Sequence, residues 1–167
     1  MSLNSKGDNM LFLENMARNK CVGYREQWNY SGSDISWMHY DWFVKNYSKY
    51  KDGNFLVDYT DMLEMFIDSG GSPNLDVLIV DEAQDLSTLQ WRCVEKLAKN
   101  VENVFIAGDD DQAIYRWAGA DVDHFIKLKG DTTYLRQSYR VPRKVVDYTK
   151  LILKEKEIEN KKSGSLR

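Results

Sequence analysis

Up to residue 70 the apolar positions recur at helical spacing, and beyond residue 75 they gather into short unbroken runs divided by polar turns. After a frayed start over Met1 to Lys6, residues Met10, Leu11, Leu13, Met16 and Ala17 predict a helix over 8–20. Gly23 to Ser33 carries no such period and reads as a loop. A cap at Ser33 or Asp34 then opens an aromatic helix through Ile35, Trp37, Met38, Tyr40, Trp42, Phe43, Tyr47 and Tyr50, ending at Asp52-Gly53. Asp58 can cap a further helix with Met62, Leu63, Phe66 and Ile67 on one face, stopped by Gly70-Gly71 and closed by Pro73.

Val77-Leu78-Ile79-Val80 lacks alternation, which suits a strand covered on both faces inside a parallel sheet. Ser87-Thr88-Leu89-Gln90 forms a capping box, with the Ser87 hydroxyl and the Gln90 side chain each accepting from the other residue's amide. The helix it opens runs to about Asn100 and buries Leu89, Cys93, Val94 and Leu97. Val104-Phe105-Ile106-Ala107 is a second buried strand. A helix near 121–128, a short strand at Thr132 to Leu135 and a last helix from Pro142 complete the pattern before a charged tail from Lys154. Strand, helix, strand, helix, strand predicts an α/β fold with a parallel sheet behind a helical N-terminal region.

At 167 residues the chain is one ordinary domain, or one with a small appendage. Its 43% apolar and 29% charged residues and 2 prolines exclude a disordered or fibrous class. No apolar run approaches the roughly 20 residues of a membrane span, and neither a span nor a signal peptide is expected. Cys21 and Cys93 lie far apart, and with 2 histidines in the chain a zinc site is not expected. This favours a reducing, cytoplasmic setting. The net charge of -3 gives no long-range pull toward a polyanion, so any nucleic-acid contact must be local. The aromatics concentrated between Tyr24 and Tyr59 read first as core or a domain contact, and only second as a stacking surface.

Candidate chemistry collects where the two buried strands end. Asp81, Glu82 and Asp85 follow the first, and Asp109, Asp110 and Asp111 the second, at the edge where open α/β sheets bind ligands. Asp81 can hold a magnesium ion through water, and Glu82 can orient and deprotonate an attacking water. The alternative is that these are solvated turn acids or helix N-terminal charges, the better reading for Asp85. Trp117 could equally be core, Arg116 lies on a solvated surface, and His39 and His124 are incidental.

Three segments, Asp81-Glu82-Ala83-Gln84-Asp85, then Gly108 through Asp121, then Leu135-Arg136-Gln137-Ser138-Tyr139-Arg140, resemble in order and spacing consecutive motifs of the UvrD/Rep-like superfamily 1 DNA helicases. Val57 to Leu63 is similar to the helix that precedes the Asp-Glu strand there, so the resemblance covers residues 55–150. It implies a partial RecA-like P-loop NTPase fold using ATP and Mg²⁺. Asp81 would bind the metal, Glu82 activate water, Gln112 sense the γ-phosphate, Arg140 act as an arginine finger and Tyr139 lie on adenine. Tyr115 and Trp117 would face single-stranded DNA. The resemblance divides the chain into an inserted helical region over 1–54, the back half of the first motor domain over 55–141, and the opening helix of the second with its tail over 142–167.

Two departures qualify the resemblance. Ala118 stands where the family commonly has arginine, and no G-x-x-x-x-G-K-[ST] phosphate loop occurs in the chain. Family order puts that loop upstream of residue 1, so the piece alone is not expected to hydrolyse ATP. An incomplete sheet would leave an edge open to self-association. Two other readings stay open: a stand-alone nucleic-acid-binding or regulatory module, and a polymerase palm whose Gly108-Asp109-Asp110 turn holds two metals, against which Gln112 to Trp117 and Gln137 to Arg140 argue.

Overall fold

The computed structural model describes residues 5–135 together with 142, 144, 145, 147–149 and 151. The chain divides into two units, residues 1–128 and 129–167, of which the first holds all the named elements. In chain order these are α1 (Lys6–Asn19), α2 (Tyr24–Ser31), α3 (Trp37–Asn54), α4 (Tyr59–Asp68), β1 (Val77–Val80), α5 (Thr88–Ala98), β2 (Asn103–Ile106) and α6 (Val122–Ile126). Helix, parallel strand pair and crossover helix make it the α/β fold the pattern predicts.

α1 is the central strut of the helical region and packs against α2, α3, α4 and α5. Its apolar face supplies Leu13, Met16 and Ala17 to the core, as the spacing requires. The stretch predicted as a loop contains α2, which is a correction. Tyr24–Ser31 lacks an apolar period, yet its Arg, Glu and Gln favour helix and its packing decides the outcome. Gln27 is buried, Trp28 Nε1 donates to the Ile35 carbonyl at 2.7 Å, and the Trp28 ring meets Trp37 edge-on at 5.7 Å. Gly32, at φ 58°, ends the helix in the left-handed region that glycine tolerates. The cap of α3 is Ser36, whose Oγ accepts from the His39 amide. Ser33 is unavailable for that role because its own hydroxyl accepts from the Ile35 amide. Packing accounts for only part of the aromatic helix: Tyr40 is fully buried and Phe43 stacks on Tyr47, while Met38, Trp42 and Tyr50 stand exposed.

α4 begins as predicted at Asp58, which forms a capping box with Asp61. Its carbonyl end is closed by a lysine from another element: Lys96 of α5 donates to the Phe66 and Ile67 carbonyls at 2.5 and 3.0 Å, and to Ser69. A cation there completes orphan carbonyls and complements the helix dipole. The same two acids of the capping box join a wider ion cluster. Arg18 reaches Glu14 at 3.3 Å, Asp58 at 3.1 Å, Glu64 at 2.7 Å and also Asp61, and Lys51 of α3 reaches Asp58 and Asp61 at 2.7 Å. Four carboxylates and two cations thus lock α1, α3 and α4 together, with Arg18 almost wholly buried. Burial pushes the Glu14 carboxyl up against the pull of Arg18. Burial also pulls Asp58 up, but hydrogen bonds from Lys51 and the Asp61 amide, with Arg18 nearby, outweigh it and hold the group down at about 2.

β1 and β2 pair in parallel, Leu78 opposite Val104 and Ile79 opposite Phe105. The Ser87–Gln90 capping box opens α5 as predicted, and the helix carries the chain from one strand to the other. Cys93 is the buried core thiol expected, pushed up by burial. Trp91, almost fully buried on the other side of α5, stacks on His124 at 4.5 Å, which gives that histidine a packing role. The expectation of cover on both strand faces needs correction. Leu78 is buried, whereas Val77, Ile79 and Phe105 on the opposite face are exposed, Ile79 at 72%, because no described element packs there, and β2, expected to be buried, buries none of its residues, with Val104 exposed even on the Leu78 face. The short strand expected at Thr132 to Leu135 is also absent: these residues are exposed and find no ladder partner among those described. In the second unit Lys144, Val145, Asp147, Tyr148, Thr149 and Leu151 are helical, as expected after Pro142.

Gly108 follows β2 at a place where a side chain has no room. A Cβ there would stand 2.7 Å from Gln84 Oε1 and 2.8 Å from the Phe125 ring. Gly108→Ala should therefore cost about 1 to 3 kcal/mol in urea unfolding, through overpacking. Arg18→Met should destabilise the chain by about 3 to 5 kcal/mol, since it strands buried carboxylates, with Arg18→Lys recovering only part because a point charge cannot replace the fork. The depressed Asp58 group contributes stability that is complete above its unfolded value near pH 4 and is lost as the pH falls toward 2. Thermal melts from pH 5 to 2 should show that loss, and Asp58→Asn should flatten it.

Candidate functional site

Parallel strands end on the same side, so the turns after β1 and β2 meet at one edge. Two hydrogen bonds extend the ladder past the strands: Ala107 N–H donates to the Val80 carbonyl at 2.8 Å, and Ala83 N–H to the Ala107 carbonyl at 2.9 Å. Between them the chain turns at Glu82, whose φ of 51° is left-handed for a residue with a side chain. Such a conformation costs of order 1 to 3 kcal/mol and persists only where its surroundings hold it. Here the holding groups are the Ala83–Ala107 bond and the Asp81 carboxylate, whose Oδ1 accepts from the Glu82 amide at 2.9 Å.

The edge brings three of the expected residues into one connected arrangement. Glu82 Oε2 accepts from Gln84 Nε2 at 2.8 Å, and Gln84 Oε1 accepts from the Asp109 amide at 3.0 Å. The Asp109 carboxylate in turn accepts from Gln112 Nε2 at 2.5 Å and from the Asp111 amide at 3.1 Å. Glu82 and Gln112 are therefore joined through a buried amide and a turn aspartate. The sequence reading overlooked Gln84 and the hydrogen-bonding part of Asp109. A glutamine two residues after a strand-end glutamate was the available signal, but only the fold reveals that it is buried.

Asp81 offers one exposed carboxylate, with Oδ1 engaged by the backbone turn. No group of three or more metal-binding side chains forms among the described residues. A single hard oxygen donor is nonetheless the usual protein share for Mg²⁺ held with phosphate oxygens and waters, and Asp81 fits that share. Asp85 lies in the short turn Ala83–Asp85, with Oδ1 buried and unpartnered.

The segment after Gln112 presents its aromatic residues outward. Trp117 is 69% exposed and Tyr115 about half exposed, so neither is core among the described residues. Arg116 makes an exposed ion pair with Asp123 at 3.2 Å, in keeping with its expected surface place. The segment is anchored behind Gly119, where the Asp121 amide donates to the Leu86 carbonyl at 2.8 Å and Thr88 Oγ1 donates to Asp121 at 3.0 Å. Tyr139 and Arg140 lie outside the described residues.

A family model described as the UvrD/REP helicase N-terminal domain matches residues 6–133. Its reach takes in the N-terminal helices that the motif resemblance leaves out. Over 80 residues the chain is 34% identical to an ATP-dependent DNA helicase PcrA of Bacillus subtilis (strain 168), covering 45% of this chain and 11% of that protein. A PcrA of Staphylococcus aureus (strain COL) matches with the same identity and coverage. A probable DNA helicase II homolog of Mycoplasma pneumoniae is 29% identical over 123 residues, 64% of this chain and 17% of that protein. The chain thus spans less than a fifth of the length of these curated relatives. With the family model spanning most of the chain and the α/β edge carrying the expected acids, this chain belongs to the UvrD/REP helicase N-terminal domain family.

Proposed function

We propose that the chain is a piece of an ATP-driven translocase and helicase acting on single-stranded DNA, carrying part of the wall of its nucleotide site. The observation that carries the reading is the hydrogen-bonded edge joining Glu82 to Gln112 beside the free oxygen of Asp81. The names of the relatives support the same direction.

In this reading Asp81 holds Mg²⁺ together with ATP, and the ion's charge neutralises the phosphates. Glu82 takes the proton of the attacking water, and Gln112 hydrogen-bonds the γ-phosphate. Tyr139 lies on adenine and Arg140 reaches the γ-phosphate, both by resemblance. Tyr115 and Trp117 stack on bases without regard to sequence, and Trp117 follows Gln112 by five residues. The bare face of Val77, Ile79 and Phe105 supports a further layer packed on the sheet, and the strand edges unpaired among the described residues support a sheet that continues, both in the rest of a motor domain. Residues 1–54 would belong to an inserted helical region, 55–141 to the first motor domain and 142–167 to the start of the second. A stand-alone binding module is the second reading, favoured by the exposed Trp117.

The test uses both the chain and the complete protein encoded by its reading frame. The complete protein should show DNA-stimulated, Mg²⁺-dependent ATP hydrolysis that falls about 10²- to 10⁴-fold in Glu82→Gln. The 167-residue chain alone should show none above background, because positioning fails when one wall of the site is missing. Trp117→Ala should weaken single-stranded DNA binding by about 1 to 3 kcal/mol, roughly 5- to 150-fold. Full turnover in Glu82→Gln would overturn the placing of the nucleotide site at this edge, and tight DNA binding by a complete protein that hydrolyses no ATP would overturn the motor reading and favour the binding module. Each strand also leaves one edge unpaired among the described residues. Self-association through it predicts a concentration-dependent sedimentation coefficient, which a constant monomer value would refute.

A further inference from the structure

Gln84 is 2% exposed, yet every hydrogen bond its side chain makes is directed at the candidate site. Burying a primary amide is unfavourable unless both ends are satisfied, and an apolar side chain of the same length would fill the space without that penalty. Packing alone therefore gives no reason for an amide here. We infer that Gln84 is a positioning residue, which fixes the Glu82 carboxylate and ties it to the Gln112 side chain; this rests on the nucleotide-site reading proposed above.

Three features carry the inference. First, the amide's orientation is determined: the Asp109 N–H can only donate, so Oε1 faces it and Nε2 faces Glu82. Second, the bond at 2.8 Å holds one Glu82 oxygen, while Oε1 accepts no hydrogen bond from the described residues and can take one from a water. An exposed glutamate would otherwise sample several rotamers, and a base that wanders loses much of the advantage of position. Third, the cradle around Gln84 is shaped for it. Gly108 lies so close to the amide oxygen that a methyl group on it would collide with that oxygen and with the Phe125 ring. The path from Glu82 through Gln84 to Asp109 and Gln112 consists of bonds of 2.8, 3.0 and 2.5 Å. When Gln112 turns to a phosphate it gives up its bond to Asp109, and that change is one amide away from the Glu82 carboxylate. Coupling through such a series is cooperative and is measured by double-mutant cycles.

Gln84→Met tests this, since it keeps length and flexibility while deleting both hydrogen bonds. In the 167-residue chain, Glu82→Gln should move the Gln112 side-chain amide resonances in ¹⁵N spectra, and the movement should vanish in the Gln84→Met background. Persistence of the movement in that background, or its absence from the parent chain, overturns the inference. This arm needs no nucleotide, so it fails only if the connection itself is absent. In the complete protein, Gln84→Met should lower kcat by about 10- to 100-fold with the KM for ATP changed by less than about twofold. An unchanged kcat where Glu82→Gln is inactive sinks the role of Gln84 alone, whereas full activity of Glu82→Gln sinks the site reading instead. Should Gln84→Met not fold, Gln84→Glu replaces it. That carboxyl repels Glu82 when ionised and can donate when protonated, so the deficit should shrink as the pH falls, and a deficit independent of pH overturns the inference.

Discussion

Parallel pairing of β1 with β2 is the constraint on which the candidate site depends. Antiparallel strands would send their ends to opposite edges; a parallel pair joined by a helix must deliver both to the same one. The consequence is visible in the two bonds beyond the strands, from Ala107 to Val80 and from Ala83 to Ala107. They extend the ladder just far enough that Glu82 must turn in the left-handed region, and that turn places Gln84 between the two acidic tails. A strained backbone, a buried amide and a glycine with no room for a side chain are three local irregularities produced by one topological requirement.

The helical region is coupled to this edge by contacts at the far end of α1. Arg18 of α1 and Lys51 of α3 bind four carboxylates from α1 and α4, which fixes α1 against α3 and α4. One residue beyond Arg18, Asn19 accepts from the Ser87 hydroxyl at 3.2 Å, at the very cap of α5. Met16 lies against Gly119, behind the turn that presents Trp117. Clusters of this kind contribute through geometry more than through net charge energy, because desolvation offsets much of the Coulomb gain. What the cluster secures is the position of α1, and with it the support of both the α5 cap and the aromatic turn.

Much of this was legible in the sequence because it rests on local signals. The Asp58 and Ser87 caps, the two apolar strands, the core thiol Cys93 and the meeting of Asp81 and Glu82 with Asp109 at one edge all follow from spacing and from strand-end logic, whereas Gln112 was pointed to by the family resemblance alone. The α3 cap was misplaced by two or three residues through local competition at Ser33, whereas the larger failures concern partners from other parts of the chain. α2 is held by packing on α1 and by Trp28 reaching Ile35, neither of which leaves an apolar period. The exposed face of Ile79 and Phe105 cannot be seen in an apolar run, which records that a strand expects cover and not whether the cover is there. Gln84 and Arg18 are polar letters in sequence and buried hubs in the fold, because their partners come from other elements.

The electrostatics of the edge bear on how a nucleotide could be held. Asp81, Glu82, Asp109, Asp110 and Asp111 put five carboxylates in two short turns, and the whole chain carries a net charge of -3. Arg116, close to them in sequence, is paired with Asp123 rather than free for a phosphate. An edge so acidic repels a polyphosphate unless cations intervene, and a Coulomb energy at a few ångströms is far too large to be offset by hydrogen bonds from one glutamine. In the proposed function the acids act with a divalent ion and with positive groups brought from elsewhere, such as the phosphate-loop lysine that this sequence lacks. In the proposed function the acidic edge is one half of an electrostatic pair, held in shape by the bonds among Asp81, Glu82, Gln84 and Asp109 while Gln112 alone exchanges its partner.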